Sequence, residues 1–429
     1  ETINPNEHGD WINHRNDAFE SFIPLAPEKK FDAKSESFFV AFSLGIGSNR
    51  DAWVYNSSII ELKENISSSI EFYNSQRIEF QNIRKTNPSL KVADFLTYDL
   101  TKLNWTDSVV RDLEKNVEYF YSEKSEFIGL YRPYFKQRLY FSKELNHRRY
   151  QQEKIYPTNK HENKVITISG TGVNKDFATL MTDVVPDLQL QANGQSFPLY
   201  FYEENNNQQK SLFDDPNESE YIRRDGVSDF ILNRAQKQYG KNVTKEDIFY
   251  YVYGILHSQE YRIAFANDLK KMLPRLPLVD DVRDFWKFSK AGSKLADLHL
   301  NYESVESYPY VTVTGVESEF FEVQKMRFPK KDEKDKIIYN SKITVSNIPE
   351  KAYEYVVNGK SAIEWIMERY QVTIDKKSQI KNDPNDWAVE VGNPRYILDL
   401  LLSVINVSVQ TVDIVNQLPT ISFNNSEED

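Results

Sequence analysis

Residues 131–150, YRPYFKQRLYFSKELNHRRY, interleave aromatic rings with basic side chains. Six of these residues are Arg or Lys and only Glu144 is acidic, although the whole chain has a net charge of -11. Because cations neutralise phosphates and flat rings stack on bases, the pattern is typical of a nucleic-acid contact. A solvated basic face whose rings build the core has the same composition. The residues predicted to contact the nucleic-acid backbone are Arg132, Lys136, Arg138, Lys143, Arg148 and Arg149.

A second basic cluster, KMRFPKKDEKDK, occupies residues 325–336. On a strand, Lys325 and Arg327 would project from the same face, and Pro329 would then turn the chain so that Lys330 and Lys331 form the tip. Such a hairpin can enter a major groove or grip phosphates, so these four cations are the second set of predicted contacts. An edge strand protected by lysines is the alternative.

Two glycine turns, GIGSNR at 45–50 and GTGVNK at 170–175, invite a nucleotide-binding interpretation. Neither completes the dinucleotide motif, because Arg50 and Lys175 stand where the third glycine belongs. The alternative to nucleotide binding is that each glycine pattern is simply a tight turn between a strand and a loop. At the first turn, backbone N–H groups and an Arg could instead clamp a single phosphate. Asn49 and Arg50 therefore join the predicted contacts.

The sequence shows no catalytic, cofactor or metal site of its own. Cysteine is absent, which excludes disulfides and thiolate metal sites, and the six His never pair at metal-ligand spacing. None of the Asn-Pro and Asp-Pro pairs continues into the second proline and aromatic residue of an adenine methyltransferase turn. No nucleophile–base grouping or privileged pair of carboxylates stands out. The most apolar run, 400–409, is short and interrupted by polar residues, so we predict no membrane span.

The remaining pattern predicts a mixed α/β (α+β) chain with a domain boundary near residue 157. A helix is expected from Ser58 to Asn87-Pro88, another from Thr106, and capped helices begin at Thr244 and Ser258. Strands are expected at 38–42, 164–169 and 197–202, and at 310–314, 320–328, 337–339 and 343–346 within a β-rich stretch. A polar loop at 203–220 is the expected insertion, and the acidic tail NNSEED is expected to fray.

Several longer phrases together resemble one protein family. They are NPNEHGDW (4–11), GIGSNRDAWVYN (45–56), YRPYFKQRLYF (131–141), KEDIFYYVYGILHSQEYR (245–262), KMRFPKK (325–331), IIYNSKITVSNIP (337–349) and the stretch 352–387. The resemblance is to the C-terminal part of the Type ISP restriction-modification enzymes. These single-chain proteins join a nuclease, a helicase-like motor, an adenine methyltransferase and a target-recognition domain.

The resemblance implies that residues 1–157 are the helical and mixed end of a methyltransferase domain and that 158–429 are the target-recognition domain. The phrase YRPYFKQRLYF is similar to the late methyltransferase motif beside a flipped base, with Tyr134 where Phe is frequent. S-adenosylmethionine, ATP and magnesium are implied for the full-length enzyme and none of them for this segment. Their motifs, with the upstream nuclease and motor, would precede Glu1, as expected for a piece of a longer cytoplasmic protein.

Sequence-specific recognition of duplex DNA is the function that the resemblance implies. The net charge of -11 requires that positive charge be concentrated locally, since a basic domain is usual for this task. An acidic, aromatic-rich chain also fits a scaffold that couples a motor to a methyltransferase without touching DNA. A third reading, that the chain is itself a methyltransferase, would require bound S-adenosylmethionine.

Overall fold

The computed structural model describes residues 16–29, 31–205 and 220–421. The phrase at 4–11, most of the polar loop at 203–220 and the acidic tail lie outside the described residues. Within them, fourteen helices can be traced. Their bounds are α1 (Asp17–Ser21), α2 (Asp51–Val54), α3 (Ile59–Thr86), α4 (Val92–Phe95), α5 (Asp107–Glu114), α6 (Gln152–Ile155), α7 (Asp229–Tyr239), α8 (Lys245–Ile255), α9 (Gln259–Ala264), α10 (Ala266–Lys271), α11 (Val282–Leu300), α12 (Ala362–Arg369), α13 (Pro384–Glu390) and α14 (Tyr396–Asn416).

The strands of the described residues are short and form several small sheets of two to four strands. Their bounds are β1 (Ile23–Pro24), β2 (Ser43–Leu44), β3 (Tyr55–Asn56), β4 (Glu126–Arg132), β5 (Phe135–Tyr140), β6 (Val165–Ile168), β7 (Thr179–Thr182), β8 (Val185–Pro186), β9 (Gln195–Pro198), β10 (Tyr200–Glu204), β11 (Tyr221–Asp225), β12 (Arg275–Leu276), β13 (Thr312–Thr314), β14 (Ile337–Ile338), β15 (Thr344–Ser346), β16 (Val356–Val357), β17 (Lys360–Ser361), β18 (Thr373–Ile374) and β19 (Lys381–Asn382). The predicted mixed α/β class is confirmed.

Two four-stranded sheets form the centre, with strand orders β2-β9-β6-β7 and β3-β5-β4-β8. The β4–β5 hairpin is antiparallel, and β8 runs parallel to β4 with Gly129 opposite Val185. In the other sheet, β2 pairs with β9 through Ser43 and Ser196. Both sheets therefore pair strands from either side of residue 157. The division into domains near that residue stays a prediction.

Helix starts follow their local capping signals. The Ser58 hydroxyl accepts the Glu61 N–H at the start of α3, and Thr244 and Asp247 form the predicted capping box of α8. The expected strand at 38–42 is wrong. Its backbone instead makes single bonds to two distant segments, with the N–H of Phe38 donating to Pro24 O of β1 and the N–H of Val40 donating to Gly226 O just after β11.

Three large apolar cores stabilise the described part of the chain, beside a small cluster of Val40, Ala41 and Phe201. One surrounds α3, α5 and the β4–β5 hairpin, a second surrounds α8 and α11, and a third surrounds α14. Helix α14 is long and apolar enough to cross a membrane, so the expectation of a short, interrupted apolar run is wrong. The most apolar 18 residues of α14 are, however, 72% buried inside the protein. Its burial therefore makes α14 the central helix of a core.

Helices α8 and α11 touch through two glycines. A Cβ on Gly292 would lie 1.9 Å from the Tyr250 carbonyl oxygen, and a Cβ on Gly254 would lie 2.3 Å from the Phe288 carbonyl oxygen. Because backbone atoms cannot yield as side chains do, Gly292→Ala must push the helices apart. We expect it to lower the free energy of unfolding by about 3 kcal/mol, as overpacking does. Urea unfolding measures this loss, with Lys294→Ala, at an exposed position of α11, as the control. Equal urea midpoints for the two variants would contradict the expected loss of stability.

Candidate nucleic-acid interface

The β4–β5 hairpin carries most of the basic and aromatic stretch, and its rings point into the protein. Tyr134, Phe135, Tyr140 and Phe141 are all buried, and the Tyr134 hydroxyl lies 2.9 Å from that of Tyr355. The expectation that these rings stack on bases is wrong. They are core residues: Phe135 lies on the buried face of β5, opposite Lys136 and Arg138, and at the end of the strand Tyr140 is buried as well.

Three of the predicted contact cations bind acidic side chains of the protein itself. Arg132 lies 2.7 Å from Asp187, Lys136 lies 2.8 Å from Glu303, and Arg138 lies 2.9 Å from Glu390. Arg138 also stacks over the Trp387 ring at 4.4 Å. These pairs join the hairpin to later segments of the chain, so we assign the three cations a structural role and remove them from the proposed contacts.

Replacing Arg132 and Arg138 together by Ala should therefore destabilise the fold. Burial raises the pKa of the Asp187 carboxyl to about 7 and Arg132 opposes that rise, so losing Arg132 leaves a buried acid without its cation. We expect the free energy of unfolding to fall by about 3–5 kcal/mol. Arg138 should contribute less to this loss than Arg132, because solvent screens its partly exposed ion pair with Glu390. Denaturant unfolding measures this. Unchanged stability with weakened nucleic-acid binding would restore the sequence-based interpretation.

Arg50 is also a structural residue. It is 2% exposed, and its guanidinium donates to the carbonyl oxygens of Asn104 and Leu145 and to the Thr106 hydroxyl at 2.8–3.2 Å. Burial lowers the pKa of Arg50 to about 10, which still leaves it charged at neutral pH. These four hydrogen bonds use most of the guanidinium N–H groups, so Arg50 is not free to clamp a phosphate. Its neighbour Asn49 has a positive φ of 57° and is exposed.

Asn49 lines a cleft of about 790 Å³, which we call the central cleft. One wall comes from the turn at 49–53 and from Tyr131 and Gln137 of the β4–β5 hairpin. The facing wall comes from residues 368–382. The cations and acids of the lining nearly balance, and amide side chains are frequent among them. This lining suits base edges better than a run of phosphates, since amides pair with bases through two hydrogen bonds.

The wall at 368–382 includes the β18–β19 hairpin, which sequence reasoning missed. Its loop is held by Asp375, whose carboxylate accepts the N–H groups of Lys377 and Ser378 and the Ser378 hydroxyl. Its base is fixed to the N-terminal part of the chain, because the Asn56 amide donates to the carbonyl oxygen of Lys381 at 3.0 Å. Lys376 and Lys377 are exposed, and no described carboxylate lies within ion-pair distance of them. The hairpin therefore presents two free cations on a rigid loop.

A second depression, about 780 Å³ in volume, lies between α5 and the segment 143–150, and we call it the basic groove. Arg148 lines it and is paired with Gly47 through two backbone hydrogen bonds of 2.8 Å. Arg149 forms an ion pair with Glu153, whereas Lys143 and Arg148 are exposed without an ion-pair partner among the described residues. The cationic lining residues are Arg111, Lys115, Lys143, Arg148 and Arg149.

The cluster at 325–336 lies at the edge of the β13-β15-β14 sheet. Arg327 bridges Ile338 of β14, and the exposed Lys325 and Arg327 flank the buried Met326, so the predicted alternation is confirmed. The rest of the predicted strand at 320–328 is wrong, because only Arg327 finds a strand partner. Lys330 and Lys331 are exposed near the following turn. The structure thus brings Asn49, Lys376 and Lys377 together at the central cleft and leaves this cluster apart from that lining.

Among the described residues, no group of three or more acidic or His side chains could hold a metal ion.

Comparisons with known proteins agree with one another. A family model described as the Type ISP C-terminal specificity domain matches residues 37–400. The chain is similar to the Type ISP restriction-modification enzyme LlaGI, solved with a DNA substrate mimic, at 37% identity and a TM-score of 0.84, covering 99% of this chain and 36% of that one. No curated protein matches the chain.

Two further structures are similar to the chain. The first is the ATP-dependent Type ISP enzyme LlaBIII bound to DNA, at 37% identity and a TM-score of 0.85, covering 99% of this chain and 26% of that one. The second is the DrdV–DNA complex, at 27% identity and a TM-score of 0.81, covering 99% of this chain and 41% of that one. The chain thus spans well under half the length of each of these proteins.

Proposed function

The chain belongs to the Type ISP C-terminal specificity domain family, and we propose from this membership that it recognises a specific sequence in duplex DNA. The observation that carries the proposal is its likeness, at 37% identity over 99% of its length, to two enzymes whose structures were solved with DNA or a DNA mimic. Identity of this extent over the whole chain supports a shared binding surface as well as a shared fold.

Two surfaces would contact the duplex, one binding its phosphates and the other its bases. The basic groove would hold phosphates through Lys143 and Arg148, because these two cations have no acidic partner among the described residues. The central cleft would receive the groove edge of the bases, with Asn49 on one wall and the Lys376–Lys377 loop on the other. The turn at 45–50 joins the two surfaces, since one of its faces lines the cleft and its backbone bonds to Arg148.

The position of the chain in a longer enzyme is also a proposal. Residues 1–157 would be the end of a methyltransferase domain, and 158–429 would be the target-recognition domain. Nuclease, motor and methyltransferase domains would precede them, and the whole would act in the cytoplasm. S-adenosylmethionine, ATP and magnesium would belong to those upstream domains, and we assign none of them to residues of this chain.

Enrichment from a random duplex library tests the proposal. The full chain is incubated with duplexes that carry a randomised central segment, and bound molecules are recovered and sequenced over several rounds. We expect one sequence motif to emerge, because a wrong base pair costs about 1–3 kcal/mol at each position that is read. Recovery of random sequence, or of no duplex, would contradict the proposal and favour a scaffold that does not touch DNA.

A further inference from the structure

A cavity of about 160 Å³ lies where α9 and α14 meet the residues just before and within β16, apart from the proposed DNA surfaces. Its polar lining residues are His257, Gln259, Arg262, Glu354, Tyr355 and Thr411. Since one water takes about 30 Å³ of liquid volume, the space accommodates a group of about five heavy atoms. The interest of the site lies in two of its polar groups, a cation and a buried nitrogen.

Arg262 is the cation. It is half-buried in α9, and its Nε donates to the Leu256 carbonyl oxygen at 2.6 Å. No described carboxylate lies within ion-pair distance of its guanidinium. Burial lowers the pKa of Arg262 to about 10, so at neutral pH the group remains charged. A partly desolvated guanidinium without a counter-charge is unfavourable unless an anion joins it.

His257 supplies the buried nitrogen. The residue is 2% exposed, and its Nδ1 lies 2.8 Å from the Tyr253 carbonyl oxygen, which can only accept a hydrogen bond. Nδ1 therefore carries the proton, and in the neutral ring Nε2 is an acceptor. Burial, aided by Arg262 and His299, holds the pKa of His257 well below its ordinary value, so the ring is neutral. Nε2 is buried and has no protein partner among the described residues.

The back wall of the cavity is rigid. His299 uses both ring nitrogens, at 2.6 Å from the Tyr253 hydroxyl and at 3.0 Å from the Thr411 hydroxyl, and it stacks on Tyr355 at 5.2 Å. The Tyr355 hydroxyl in turn bonds to Tyr134. This chain of contacts joins the core around α14 to the core around α11. A ligand held here would bridge the two cores.

From this pairing of groups we propose that the cavity binds a small oxyanion that retains a hydroxyl group, of the hydrogen phosphate class. The unprotonated oxygens accept hydrogen bonds from the Arg262 guanidinium, and the hydroxyl of the anion donates to His257 Nε2. A fully deprotonated oxyanion satisfies Arg262 and leaves Nε2 without a donor. The site therefore selects for the protonated species by hydrogen-bond complementarity.

Glu354 lies exposed at the mouth of the cavity, and its charge opposes an anion. Replacing it by Gln leaves the buried groups intact, so the fold is preserved. At a few ångströms in a surface environment, removing one like charge should tighten anion binding by roughly three- to tenfold. This substitution keeps the proposal testable even if changes at buried positions impair folding.

Isothermal titration of the full chain with inorganic phosphate at pH 7 and constant ionic strength tests the proposal. We expect one saturable site, at least tenfold weaker binding in Arg262→Met, unchanged binding in the exposed control Arg234→Met, and tighter binding in Glu354→Gln. Sulfate, which carries no proton at this pH, should bind at least tenfold more weakly than phosphate.

Three results would overturn the proposal. One is an unsaturable response that is the same in Arg262→Met as in the parent, which is a general salt effect. Another is equal affinity for sulfate and phosphate, which removes the role of His257. The third is phosphate binding that a chain ending at Ile421 shows and the full chain lacks. A carboxylate of residues 422–429, and not a free oxyanion, would then be the ligand of Arg262 in the full chain.

Discussion

Replacement of Arg50 by Met is expected to lower the free energy of unfolding by about 3–5 kcal/mol, although the sequence suggests a phosphate contact. The guanidinium holds the carbonyl oxygens of Asn104 and Leu145 and the Thr106 hydroxyl in a site that is 2% exposed. Methionine fills similar space but donates no hydrogen bond, so these buried acceptors lose their partner together. The turn at 45–50 would also lose its tie to the segment before α5.

Urea unfolding followed by circular dichroism measures this loss, with Arg148→Met as the matched control. Arg148 lies in the segment paired with the same turn but is exposed and unpaired among the described side chains, so its replacement should change stability by less than about 0.5 kcal/mol. If both variants unfold at the same denaturant concentration, the structural role assigned to Arg50 is wrong.

The largest functional effect is expected from replacing Lys143, Arg148, Lys376 and Lys377 together by Gln. Each cation that contacts a phosphate releases about 0.9 counterion equivalents, so the loss of Lys143 and Arg148 should lower the slope of log K against log salt by about 1.8, and the loss of the two cleft lysines should weaken binding further. Affinity near physiological salt should fall on the order of a hundredfold or more. Fluorescence anisotropy of a labelled duplex at several salt concentrations measures both quantities.

A second quadruple variant, with Lys237, Lys241, Lys290 and Lys294 changed to Gln, is the charge-matched control. All four lysines are exposed on α11, on α7 or just after it, so the net charge changes equally without touching either proposed surface. Long-range electrostatics alone would lower both slopes alike. Equal losses in the two variants would remove the central cleft and the basic groove from the interface.

Local signals predicted local structure well. Helices α3, α8 and α9 begin where Ser58, Thr244 and Ser258 predict, because a cap involves residues only two or three apart. Helix α5 also begins after Thr106 as predicted, although the Thr106 hydroxyl bonds to Arg50 and not to a backbone N–H of the helix. The strands expected at 38–42 and 320–328 fail for the opposite reason. Strand formation depends on partners far along the chain, and an apolar or alternating run does not say whether such a partner exists.

The same distance effect governs the candidate site. The sequence shows that Lys136 and Arg138 are basic, but their acidic partners Glu303 and Glu390 lie 167 and 252 residues away. Only the fold reveals that these charges are neutralised internally. The loop with Lys376 and Lys377 carried a local signal that could have found it, since Asp375 and Ser378 bracket the two lysines in the pattern of a side-chain-stabilised turn.

The most direct test of the DNA-recognition function is the ratio of two dissociation constants at one salt concentration, for the enriched duplex and for a scrambled duplex of the same length and composition. A specificity domain should prefer the enriched duplex by on the order of a thousandfold or more. A ratio near one, with the chain fully folded, would contradict the account.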